Sequence, residues 1–187
     1  MKIFKSINKL NKQVDFKANI GFVPTMGALH KGHMSLIDSS KKKCKKTLVS
    51  IFVNPSQFNK KSDYRNYPKN LNKDLNTLKR MKVDYVFIPE KKEIYNNKKK
   101  MKIKISSRDK ILCAKYRKGH FEGVLAVINQ LLNTIKARYM FLGNKDYQQV
   151  YLIKKFVKKK FNVKIISCNT VRDNNLLAYS SRILNLS

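Results

Sequence analysis

Ile20-Gly21-Phe22-Val23-Pro24-Thr25-Met26-Gly27-Ala28-Leu29-His30-Lys31-Gly32-His33 is a short apolar run that passes into a turn bearing glycines and two imidazoles three positions apart. Ile20 to Val23 reads as a strand buried in a parallel sheet, and the helical pattern resumes from Ser35. The turn therefore lies at a strand's carboxyl end and faces a helix start. Open α/β sheets bind ligands there, because backbone N–H groups and the helix dipole both favour an anion. Gly27 and Gly32 allow the backbone to approach that anion closely. A zinc reading of His30 and His33 is the weaker one, since an i, i+3 pair needs further ligands and no nearby Cys or carboxylate cluster supplies them.

Outward from this stretch, β-like runs alternate with helical ones, the signature of βαβ units. Strands are expected at Ile20 to Val23, Thr47 to Val53, Tyr85 to Ile88, Tyr139 to Leu142 and Lys164 to Ser167. Helices are expected at Ser35 to Lys45, Leu71 to Met81, Gly123 to Lys136 and Asp146 to Lys159. Val124, Val127, Ile128, Leu131, Leu132 and Ile135 recur at helical spacing and belong to a core. The basic stretch Lys91 to Lys104 reads as an exposed loop leading into a short strand at Ile103 to Ile105. The fold expected is a Rossmann-like open parallel sheet of about five strands with helices on both faces, in one domain spanning residues 1–187.

Composition narrows the function. The chain has 42 basic and 11 acidic residues and a formal charge of +31, which would ordinarily point to nucleic acid. The excess is mostly lysine scattered through every segment, whereas base readout relies on arginine's fork, so no specific nucleic acid is expected. Cys44, Cys113 and Cys168 are far apart, lack CxxC spacing and read as reduced, buried thiols. The N-terminus has no signal-peptide pattern and no segment reaches membrane-spanning length, so a cytoplasmic location away from membranes is expected. Lys41-Lys42-Lys43 and Lys158-Lys159-Lys160 fall at helix ends, where cations suit the dipole.

Other polar loops follow other strands. Asn54-Pro55-Ser56-Gln57-Phe58 offers two amides, Asn54 and Gln57, that can orient a hydroxy acid. Gly143-Asn144-Lys145-Asp146-Tyr147-Gln148-Gln149 offers a lysine for phosphate charge and an amide one turn into the next helix. Val171 and Tyr179-Ser180-Ser181-Arg182 add hydroxyls and a guanidinium suited to phosphate oxygens.

Taken together, PTMGALHKGH, VSIFVNPSQF, Tyr67-Pro68 followed by Asp74, GHFEGV from Gly119, GNKDYQQV and SSR resemble the pantothenate synthetase family. These are ligases of the HxGH nucleotidylyltransferase superfamily that join pantoate to β-alanine using ATP. The likeness runs from Gly21 to Leu186. It implies that Met26, Gly27, Ala28, Leu29, His30, Lys31, Gly32 and His33 bind ATP, with His33 as catalytic proton donor, His30 assisting at the phosphates and Lys145 stabilising charge. Gly143, Asn144, Lys145, Asp146, Val171, Tyr179, Ser180, Ser181 and Arg182 would complete the nucleotide site. Gln57 would contact pantoate and β-alanine, Gln149 would hold pantoate, and Asp74 would assist the Mg2+ that accompanies ATP. A homodimer is also implied.

The sequence departs from the family pattern in places. The family's smaller carboxyl-terminal domain, which closes over the nucleotide, is expected to be absent. Asn144 stands where glutamate is usual, Lys69 where arginine is usual, Ile183 where asparagine is usual, and Asn175-Leu176 where Asp-Gly is usual. A positive-φ turn suits glycine and not leucine. Two alternatives to an active ligase stand beside it: a decayed remnant that binds nucleotide, or adenylates pantoate, without forming the amide, and, behind that, a basic nucleic-acid-binding protein that uses its positive charge.

Overall fold

The computed structural model describes residues 1–95 and 103–185. In chain order the elements are β1 (Lys2–Phe4), α1 (Ile7–Gln13), β2 (Ile20–Thr25), α2 (Lys31–Lys43), β3 (Lys46–Ile51), α3 (Lys61–Arg65), α4 (Leu71–Arg80), β4 (Tyr85–Phe87) and α5 (Lys91–Tyr95). They continue as α6 (Cys113–Tyr116), α7 (His120–Thr134), β5 (Tyr139–Gly143), α8 (Tyr147–Lys158) and β6 (Lys164–Cys168).

Among the described residues there are six strands, all parallel, in the order β1-β4-β3-β2-β5-β6. Five were expected where six occur. β1 escaped because three residues in a basic segment carry no periodic signal, and only pairing of Lys2–Phe4 with Tyr85–Phe87 makes them a strand. The order reverses at β2, which pairs with β3 on one side and β5 on the other, so a crevice opens at the carboxyl ends of β2 and β5.

Strand alternation sends side chains to two cores. Ile20, Phe22, Leu48, Phe87, Met140 and Leu142 meet α1, α5, α7 and α8 on one face. Val23, Val49, Ile51, Val86 and Phe141 meet α2 and α4 on the other. This division is what right-handed crossovers require when the winding direction reverses. The apolar stripe of α7 is buried as its spacing demands, with Val124, Ile128, Leu131 and Leu132 each no more than 5% exposed.

Several boundaries move. α2 begins at Lys31 and not Ser35, because the His30 side chain caps it: His30 Nδ1 accepts from the Gly32 N–H at 3.1 Å. His33 consequently lies in the first helical turn. α7 begins at His120, three residues earlier than expected. Ile103 to Ile105 is not a strand. Lys91–Tyr95 is helical where a loop was expected, and the rest of that excursion up to residue 102 lies outside the described residues. Of the thiols, Cys44 is buried, Cys168 intermediate and Cys113 exposed. The lysine clusters do close α2 and α8. Leu176 adopts φ +63°, a conformation that leucine disfavours, in a turn held by Asp173, whose Oδ1 accepts from Asn175 N–H and Leu177 N–H.

Candidate functional site

The loop after β2 is the first wall of the crevice. Gly27 and Ala28 both have positive φ, +80° and +50°. A Cβ on Gly27 would stand 2.9 Å from Asp74 Oδ2, so only glycine fits. Asp74, at 3% exposure, accepts from Ala28 N–H through Oδ2 at 2.9 Å and from Leu29 N–H through Oδ1 at 2.8 Å. Both oxygens of its carboxylate therefore clamp the loop, and Asp74 is not among the residues that line the cleft, where the metal role expected of it would place it. Burial pushes the Asp74 pKa up, against the two backbone N–H groups.

His30 and His33 face each other with ring centroids 4.0 Å apart. His33 Nδ1 accepts from the His30 N–H at 3.4 Å, as His30 Nδ1 accepts from Gly32. Burial above all, then the Lys145 ammonium, holds His30 at about 4. Burial, then His30 and Lys145, holds His33 at about 3. Both rings are thus neutral near pH 7. Because each Nδ1 accepts, each proton must reside on Nε2, which makes two N–H donors at the start of α2. Tyr179 stacks beside His30 at 6.3 Å between ring centroids, and Lys31 Nζ lies 5.5 Å from the Tyr179 ring centre.

The second wall is the turn after β3. Asn54, 1% exposed, spends its whole side chain on structure. Its Nδ2 donates to Gln57 Oε1 and to Gly123 O, both at 3.1 Å, and its Oδ1 accepts from Ser56 N–H, Ser56 Oγ and Tyr95 OH. Asn54 is not free to bind substrate, contrary to expectation; it fixes Gln57. Among the described residues the Gln57 Nε2 then meets only the weakly accepting Met26 Sδ, 2.9 Å away, and keeps donor capacity for a ligand.

The third wall comes from β5 and α8. Gly143, Lys145, Asp146 and Gln149 line the cleft, and a Cβ on Gly143 would meet nothing protein-made, so the space beside it is open. The fourth is the segment after β6. Ser181 Oγ donates to Ala28 O at 3.0 Å and ties this segment to the first loop. Val171, Tyr179, Ser180 and Arg182 line the cleft with it. Arg182 does not stand free, because its Nη2 lies 2.8 Å and 3.2 Å from the two oxygens of Asp63. The cleft has a volume of about 580 Å³. A site of this size accommodates small-molecule ligands.

Two cleft residues were not singled out from the sequence. His120 is 6% exposed and its Nδ1 lies 2.6 Å from Gln57 O. Arg117 also lines the cleft, and burial, with Arg182 next, presses its pKa down. Their signal was Arg117-Lys118-Gly119-His120, a polar turn immediately before the most apolar helix. No three His, Cys, Asp or Glu side chains cluster as a metal centre among the described residues. No helix among them is long and apolar enough to cross a membrane.

The family model for Pantoate-beta-alanine ligase matches residues 2–187. Pantothenate synthetase from Pseudothermotoga lettingae is 42% identical over 191 residues, covering 100% of this chain and 68% of that protein. The Leptospira interrogans serovar Lai protein of the same name is 49% identical over 170 residues, covering 90% of this chain and 60% of its own length. A Francisella tularensis pantoate-beta-alanine ligase, crystallised with beta-gamma ATP and beta-alanine, superposes with a TM-score of 0.95 at 44% identity, covering 100% of this chain and 74% of that one. The chain thus spans between 60% and 74% of these relatives' lengths.

Proposed function

The chain belongs to the pantoate-beta-alanine ligase family, and from that premise we propose that it condenses pantoate with β-alanine at the expense of ATP, through a pantoyl-adenylate and with release of pyrophosphate and AMP. The observation that carries this reading is the pair of neutral imidazoles whose Nε2–H groups stand at the start of α2, at the switch point of the sheet.

A carboxylate resists attack by an amine because oxide is a poor leaving group, so it must first be activated. In that first step the pantoate carboxylate attacks the α-phosphorus of ATP and charge accumulates on the α-phosphate and the departing pyrophosphate. Fixed donors aimed at that charge lower the barrier without reorganising. His30 and His33 would supply two N–H groups, Lys145 a cation, and the N-terminal N–H groups and dipole of α2 the remainder. Neutral rings recast the expected proton donor His33 as a hydrogen-bond donor. Gln57, held by Asn54, and Gln149 would orient pantoate. Arg182 would leave Asp63 to meet the phosphates.

Mg2+ belongs to the same proposal as the companion of the triphosphate, where it neutralises charge. Magnesium typically keeps several waters and binds through one or two carboxylates plus substrate phosphates. Asp146 is the carboxylate that lines the cleft and would meet it from the protein side. Assembly as a homodimer is included too, supported by a run of exposed apolar side chains, Ile111, Leu112, Tyr116 and Tyr147.

The experiment is pantoate-dependent exchange of labelled pyrophosphate into ATP, followed by addition of β-alanine. Exchange with pantothenate formation supports the whole reading. Exchange without product reduces it to an adenylating remnant, and no exchange by the folded chain refutes it.

A further inference from the structure

The cleft holds a third histidine whose hydrogen bonding is the reverse of the other two. His30 and His33 accept backbone N–H groups at Nδ1 and so present Nε2–H. His120 Nδ1 lies 2.6 Å from Gln57 O, a carbonyl that can only accept, so the proton must sit on Nδ1 and the lone pair on Nε2. Among the described residues nothing hydrogen-bonds that second nitrogen, and His120 lines the cleft. Burial, ahead of every other influence, lowers its pKa and keeps the ring neutral; Arg117 and Arg182 act in the same direction, and the Gln57 carbonyl and Asp146 oppose. The three imidazoles therefore give the cleft two ring N–H donors on the β2 side and one ring-nitrogen acceptor on the α7 side.

The second half of the ligase reaction needs such an acceptor. When an amine's lone pair forms a C–N bond to an acyl carbon, the nitrogen becomes cationic and must lose a proton. We propose that His120 Nε2 takes that proton from β-alanine as the amide forms, while Arg117 holds the substrate's carboxylate. The inference rests on the ligase reading above. β-Alanine enters as the free amine, its ammonium proton having gone to solvent. Its lone pair forms the C–N bond, the nitrogen's proton passes to Nε2, and the C–O bond to AMP breaks with its electron pair leaving on the phosphate. His120 then returns its proton to solvent.

Geometry favours this placement. Arg117 and His120 are joined through one turn, His120 N–H donating to Arg117 O at 3.1 Å, at the lip of α7. The Arg117 guanidinium has no hydrogen bond or ion pair with any described residue, so it is available to an incoming carboxylate, which it can grip bidentately. His120 also leans on the turn that carries Gln57, so both ends of the amide-forming subsite move with α7.

His120→Asn is the informative variant, because the asparagine amide can still donate to Gln57 O but has no basic nitrogen. In the full chain, single-turnover conversion of enzyme-bound pantoyl-adenylate by β-alanine should fall about a hundredfold or more, the usual contribution of a positioned base. Pyrophosphate exchange should retain most of its rate, and the adenylate that accumulates should be trapped by hydroxylamine as a hydroxamate. Arg117→Gln, at an accessible position, is the companion: half-saturating β-alanine should rise at least about tenfold, and the preference for β-alanine over propylamine should collapse. Equal losses in exchange and amide formation would make His120 a mere support for Gln57 and overturn the proposal. So would an unchanged amide step. Absence of exchange in the unmodified chain would instead bring down the ligase reading, and this inference with it.

Discussion

Gly123→Ala should destabilise the protein, although alanine is the better helix former. Gly123 lies within α7, where exchanging glycine for alanine ordinarily gains about 1 kcal/mol. Here the new Cβ would stand 2.2 Å from Ser56 O and 2.6 Å from Ser56 C, where ordinary contact begins at 3.4 Å. The obstruction is backbone, so the Asn54–Phe58 turn must retreat by about 1 Å. Overpacking of this kind costs about 1–3 kcal/mol. Retreat also stretches Asn54 Nδ2 to Gly123 O and His120 Nδ1 to Gln57 O, at roughly 1 kcal/mol each. The expected net loss is about 2–4 kcal/mol, or roughly 4–16 °C in Tm for a chain of this size. A 1 Å displacement of a positioning group can cost about a hundredfold in rate, and Gln57 rides on the displaced turn. Urea unfolding followed by far-ultraviolet circular dichroism, with the pyrophosphate exchange rate alongside, tests both. A variant as stable as the parent, or more so, with normal exchange would show that the α7 contact does not hold the turn.

His33→Ala should lower pyrophosphate exchange by roughly a hundredfold or more, the usual loss for one preorganised donor, and near-normal turnover would remove His33 from the chemistry. Since its folded pKa of about 3 lies below the unfolded 6.5, the unfolded chain binds the extra proton between those values. Stability from His33 is therefore complete above pH 6.5 and declines as pH falls towards 3, by at most about 1.4 kcal/mol per pH unit, and His33→Gln should flatten that slope in pH-dependent urea titrations. Asp63→Asn should release Arg182 and lower half-saturating ATP by up to about fivefold, the worth of an exposed ion pair; a weaker ATP response would mean that Asp63 orders Arg182 usefully. Added salt should raise Tm by screening a formal charge of +31, and a flat response would discount that repulsion.

The parts of the fold read most readily were those written in backbone-local chemistry. The apolar run at Ile20, the stripe on α7 and the four polar loops after β2, β3, β5 and β6 all carry periodicity or turn residues, and those loops do meet at one crevice. What escaped was decided by partners distant in sequence. Asp74 reads as a free carboxylate until Ala28 and Leu29 occupy both its oxygens, and Asn54 as a free amide until Gly123 and Tyr95 claim it. The start of α2 was misjudged because histidine is not a usual capping residue, and β1 because its strand character comes wholly from β4. His120 and Arg117 carry no such mark, since their meaning lies in which atom of Gln57 faces the ring and in a guanidinium without a partner among the described residues.

The Ser181 to Ala28 hydrogen bond joins residues 153 positions apart, whereas the Asp74 clamp on the same loop spans only 45 and 46. During synthesis at about 5–20 residues per second, the loop between β2 and α2 would leave the ribosome roughly 8–30 s before Ser181 reaches it. Asp74 arrives within about 2–9 s on the same clock. The nascent chain thus passes through an interval in which the loop is shaped but its far wall does not yet exist. Nucleotide captured in that interval would have only half a site to hold it, so ligand-assisted folding of this chain must come late, after β6 has joined the sheet.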